Sequence, residues 1–104
     1  MVWLVPWLLF VMPLTISVYG RIVPKGGDVR VTCRVQRHPD NRWLDMGITP
    51  YRLSGRQLNG NAAPITYEVW FTHIPCEADA AFCAVVDSRG RVRTVRQSIT
   101  VVGC

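Results

Sequence analysis

Residues 28–35 read DVRVTCRV, and the way this stretch alternates decides what kind of protein the chain is. Val29, Val31, Cys33 and Val35 fall on one side of an extended chain, and Arg30, Thr32 and Arg34 on the other. Side chains of a strand point alternately to its two faces, so this pattern predicts a strand with one face on a core and one in water. Cys33 lies on the buried side. Downstream, RHPDNRW (37–43) carries turn-forming residues at Pro39, Asp40 and Asn41, and Trp43 opens a second short strand, RWLDMGI.

The same period continues toward the carboxyl end. ITYEVWFTHI (65–74) sets Ile65, Tyr67, Val69 and Phe71 against Thr66, Glu68, Trp70 and Thr72. AAFCAVVDSRGRVRTVRQSITVV (80–102) reads as two strands joined at Asp87-Ser88-Arg89-Gly90, where Gly90 supplies the positive φ of a tight hairpin. Val92 and Val95 cannot share a face of a regular strand, so a β-bulge near Arg93 or Thr94 is expected to return Ile99 and Val101 to the core. Between Thr49 and Pro64 a polar connection rich in Gly and Pro leaves room for an irregular edge strand around 51–58. No window after Arg21 sustains the i, i+3, i+4 pattern of an amphipathic helix, so the chain is expected to be all-β.

Composition divides the 104 residues in two. The first 20, MVWLVPWLLFVMPLTISVYG, hold no charged side chain, and Val18-Tyr19-Gly20 offers a site for a signal peptidase. Residues 1–20 are therefore expected to be a hydrophobic signal or anchor helix, and 21–104 the folded domain, secreted or otherwise extracytoplasmic. An uncleaved membrane anchor is the alternative. Pro6 and Pro13 interrupt such a helix, and Arg21, Lys25 and Arg30 after the apolar run favour the opposite orientation, with the domain in the cytosol. The cysteines argue for export. Cys33, Cys76, Cys83 and Cys104 are an even set with no C-x-x-C pair, and His38 and His73 stand at no zinc-finger spacing, so disulfides are expected ahead of zinc. No cofactor or metal is expected.

Together, a strand with a buried cysteine, a tryptophan ten residues on, a second cysteine at 83 and a closing hairpin resemble the immunoglobulin superfamily. GGDVRVTC looks like its B strand, RWLDMGI its C strand, EVWFTHIP its E strand, AAFCAVVD its F strand and RVRTVRQSITVV its G strand. The resemblance implies an immunoglobulin-like antiparallel β-sandwich in which Cys33 and Cys83 bridge the sheets and Trp43 packs against the sulfurs. Glu77 and Ala81 stand where the family places an Asp and a Tyr, so its tyrosine corner is absent. Three pairings of four cysteines exist; 33 with 83 and 76 with 104 ranks first, 76 with 83 and 33 with 104 second.

His38-Pro39-Asp40 is similar to the triplet of J-domain co-chaperones, but that triplet joins helices and strands flank this one, so a turn is expected. Ser54, Ser88 and Ser98 lack a G-x-S-x-G setting, and catalysis is not expected. The net charge is +5, and all basic residues but Lys25 are arginine. Arg89, Arg91 and Arg93 at the hairpin are the candidate contact for an acidic partner, an extracellular protein or an acidic surface. Nucleic acid is not expected, since aromatics are not interleaved with the arginines, and membrane contact is expected only if the leader is retained. The resulting expectation is a small secreted immunoglobulin-like binding or adhesion module without catalysis. The alternative is a membrane-tethered structural or protective accessory domain of an envelope or virion surface.

Overall fold

The computed structural model describes residues 14–36, 39–50, 52–58 and 65–104. Nine strands follow one another: β1 (Leu14–Tyr19), β2 (Ile22–Pro24), β3 (Val29–Val35), β4 (Asn41–Thr49), β5 (Arg52–Gln57), β6 (Ile65–Phe71), β7 (Ala80–Asp87), β8 (Val92–Ser98) and β9 (Thr100–Val102). They form a three-stranded sheet in the order β1-β3-β6, a four-stranded sheet in the order β5-β4-β7-β8, and a two-stranded pair, β2-β9. The protein is all-β over the described residues, and no helix among them is long and apolar enough to cross a membrane.

Alternation builds the core. Val29, Val31, Cys33 and Val35 of β3 join Leu44, Met46 and Ile48 of β4 and Ala81, Cys83 and Val85 of β7, all buried in one cluster. Two disulfides staple this body. Cys33–Cys83 joins the two larger sheets through the core, and Cys76–Cys104 joins the segment after β6 to the residues after β9. Ile74, fully buried, anchors that segment: its N–H donates to the Gly27 carbonyl at 3.0 Å, and its own carbonyl accepts from Gly26 N–H at 2.9 Å.

Four expectations need correction. Residues 14–19, placed by the sequence in a leader helix, form strand β1, antiparallel to β3 in unbroken register from Leu14↔Val35 to Tyr19↔Arg30. Leu14 is buried, with Ile16 and Val18 packed against the core, because LTISVY alternates as cleanly as β3 does. The boundary expected after Gly20 thus falls between β1 and β2; residues 1–13, the rest of the expected leader, lie outside the described residues. The body is also not wholly antiparallel, since β2 and β9 pair in parallel.

No bulge lies near Arg93 or Thr94: β8 pairs with β7 in even register from Val92 to Ser98. Val92 simply faces outward, while Val95, Gln97, Ile99 and Val101 keep one phase. The strand breaks at Ile99, where the chain passes from the four-stranded sheet to the pair with β2. Finally, Trp43 does not pack against the inner disulfide. It is 41% exposed on the outer face of β4, with Asp45 and Gly47, while Leu44, Met46 and Ile48 take the inward positions. Its indole N–H donates to the Asp45 carboxylate. The ring lies on β5, where a Cβ added to Gly55 would stand 2.5 Å from it.

Candidate functional site

The turn at Pro39-Asp40 meets the β7–β8 hairpin at one end of the sandwich. Ser88 N–H donates to the Asp40 carbonyl at 2.8 Å. Asn41, the sole buried polar side chain among the described residues, donates to the Gln36 carbonyl at 3.0 Å and accepts from Arg93 Nη2 at 2.9 Å. Asp40, Asn41, Asp87, Arg91 and Arg93 line a cavity of about 310 Å³. His38, the first residue of the turn triplet, lies outside the described residues.

Asp87 organises the hairpin. Its Oδ1 accepts the N–H groups of Arg89 at 2.8 Å and Arg91 at 2.9 Å, and its Oδ2 lies 3.5 Å from Arg91 Nε. The Arg91 N–H first, then the Arg89 N–H and the charges of both arginines, outweigh the opposing desolvation and hold the carboxyl below the ordinary value of 3.8. Of the three arginines expected to meet a partner, Arg91 is thus engaged by Asp87 and Arg93 by Asn41. Arg89, like Arg91, is exposed.

A second concavity, about 270 Å³, opens on the outer face of the four-stranded sheet between Thr49, Phe82, Ala84, Thr94 and Arg96. The Thr49 hydroxyl donates to the Asp79 carboxylate. On the outer face of the other sheet, β1, β3 and β6 bring Tyr19, Arg30 and Trp70 into one cross-strand row. None of these three was singled out from the sequence as a site. A signal existed in the alternation, which sends Trp70 outward with Glu68 and Tyr19 outward with Ser17.

Reactive groups are few. All four cysteines are bridged, and no group of three or more His, Cys, Asp and Glu side chains that could hold a metal ion occurs among the described residues. The two bridges differ in access: Cys33 and Cys83 are 0% exposed, whereas Cys104 is exposed and Cys76 partly so.

No family model matches the chain, and no curated protein matches it. Among solved structures, the chain is similar to superoxide reductase (neelaredoxin) from Ignicoccus hospitalis, with a TM-score of 0.56 at 17% identity over 86% of this chain and 80% of that one. Two single-residue variants of that protein align with a TM-score of 0.62 at 15% identity, over 86% of this chain and 79% of theirs. At such identity the likeness defines a class of fold, the β-sandwich of the superoxide reductases, and carries no residue chemistry across. It overturns the immunoglobulin resemblance, in agreement with the outward Trp43. The neighbours are named as redox enzymes, so the reading of a non-catalytic binding or adhesion module falls with that resemblance. Its membrane-tethered accessory alternative and the expectation that the chain is no enzyme fall with it. The donor set of the described residues does not fit a resident metal centre: histidine is represented there by His73 alone, and every cysteine is bridged.

Proposed function

We propose that the chain is a thiol–disulfide redox protein, with Cys76–Cys104 as its electron-exchanging group. The observation that carries this reading is the contrast in access between the two bridges. Disulfide exchange requires a thiolate to reach a sulfur, so an exposed bridge reacts where a sealed one does not. The fold's likeness to redox enzymes supports the class of chemistry, and the donor set of the described residues directs it to sulfur.

The step balances with a dithiol as reductant. A thiolate of a small dithiol attacks the Cys104 sulfur, the S–S bond breaks, and Cys76 leaves as a thiolate that takes up a proton. The second thiol of the reductant then closes on the mixed disulfide and releases Cys104. Two electrons and two protons have passed from dithiol to bridge, and an oxidised partner disulfide reverses the sequence. Reduction unties β9 from the segment after β6, leaving the three-residue β2-β9 pairing to hold it.

Titration with dithiothreitol followed by alkylation and mass spectrometry tests the reading. The expected result is paired labelling of Cys76 and Cys104 while Cys33–Cys83 stays intact, together with dithiol-dependent reduction of a small disulfide that is lost in Cys76→Ser/Cys104→Ser. Reduction of both bridges only on unfolding, or turnover unchanged in the double variant, refutes it. Two expectations from the sequence stand as separate proposals: export, and an acidic partner at Arg89, Arg91 and Arg93. Recovery of the chain from the extracytoplasmic fraction tests the first, and recovery from the cytosol alone contradicts it. Charge reversal of the three arginines tests the second.

A further inference from the structure

The outer face of the β1-β3-β6 sheet is composed differently from an ordinary solvated surface. Its rows are Thr15, Arg34 and Thr66; Ser17, Thr32 and Glu68; and Tyr19, Arg30 and Trp70. Neighbouring strands lie about 4.8 Å apart, so the backbones of Tyr19 and Trp70, flanking β3, are separated by about 10 Å. Their ring centroids are nevertheless only 6.3 Å apart, edge to face at 79°. Both rings lean inward over Arg30, whose guanidinium carbon sits 5.2 Å from the Tyr19 centroid and 5.8 Å from that of Trp70.

Roofing the arginine buries its Nε without giving it an acceptor. Glu68 Oε2 forms an ion pair with it at 3.9 Å, too far for a hydrogen bond, and Nε has no hydrogen-bond partner among the described residues. The Arg30 side chain as a whole stays 39% exposed, so its guanidinium remains open to an acceptor from outside. Meanwhile Tyr19 and Trp70 stay 65% and 50% exposed, far more than packing alone requires of such large rings. Two exposed rings in edge-to-face contact, rimmed by polar groups, are the composition a ligand-binding surface uses.

We infer that this face binds an acidic polysaccharide. The exposed ring of Trp70 or Tyr19 offers an apolar plane to the C–H face of a pyranose. The hydroxyls of Ser17, Thr32 and Thr66 suit sugar hydroxyls, and the forks of Arg30 and Arg34 match a carboxylate or sulfate group. The +5 charge draws a polyanion toward the chain. Single-stranded nucleic acid fits less well, because rings set at 79° cannot both present parallel planes to successive bases.

Isothermal titration of the disulfide-intact full chain with heparin, polygalacturonate, dextran and single-stranded DNA provides the test. The two acidic glycans separate sulfate from carboxylate recognition. Binding of at least one of them, with dextran inert and DNA weaker, is expected. Trp70→Thr and Arg30→Gln should each weaken it about tenfold or more. Trp70→Tyr, which keeps a ring, should restore most of it, and Arg96→Gln on the opposite sheet should leave it unchanged. The inference is overturned by no binding to either acidic glycan, by DNA binding as tight or tighter, or by glycan binding indifferent to both Trp70→Thr and Arg30→Gln.

Discussion

Asp87 accepts two backbone N–H groups of the hairpin it begins and faces the arginine four residues on, which makes it the side chain most directly tied to the geometry of that turn. Because its folded pKa lies below the ordinary value, its contribution is fully present above the usual carboxylate range and is lost as pH falls through the lower folded value. NMR titration should therefore show the Arg89 and Arg91 amides shifting in a single step below pH 3.8, with Asp87→Asn abolishing that step. Titration of these amides at or above the ordinary value contradicts the assignment. Gly90, with φ of 80°, was legible in the sequence as the turn's left-handed residue. The partners that occupy Arg91 and Arg93 were not, since Asn41 reaches Arg93 only through the packing of the β3–β4 turn on the hairpin.

Among the elements, β1 adds most to what the sequence suggested. It covers β3 with six residue pairs and contributes Leu14, Ile16 and Val18 to the core. A chain beginning at Arg21 should be less stable than one beginning at Leu14 by roughly 3–5 kcal/mol, from the apolar burial lost, and should associate through the opened β3 edge. Urea denaturation and light scattering on the two chains measure this; coincident midpoints would show that β1 does not belong to the folded body. LTISVY announces a strand by its alternation, yet it sits at the end of an uncharged run that reads as a leader. Likewise, RWLDMGI places Leu44, Met46 and Ile48 on its uniformly apolar face and leaves Trp43 with Asp45. The local pattern was the better guide there than the spacing between a cysteine and a tryptophan.

For the whole molecule, Cys33–Cys83 is the tie between the two larger sheets. Its sulfurs are sealed in the core, and it closes a loop of 50 residues. Loop-entropy reasoning assigns such a closure about 4 kcal/mol, a large share of the roughly 5–15 kcal/mol typical of a domain. Cys33→Ala/Cys83→Ala should lower the unfolding free energy by about that amount or more, because a void also opens between the sheets. Denaturant titration of this variant beside the parent is decisive, and a loss below about 1 kcal/mol would remove the bridge from its central role.

By itself the sequence determined the all-β character, the inward face of β3, the hairpin at Gly90 and the set of four cysteines. These follow from the period of side chains along one strand and from the backbone freedom of one residue, both local properties. Tertiary structure alone decided that β1 joins the sandwich, that β2 and β9 run parallel, that one bridge is sealed and the other accessible, and that Tyr19 and Trp70 close over Arg30. Each of these depends on which strands become neighbours across space, and the free energy that selects neighbours comes from burying faces contributed by distant parts of the chain.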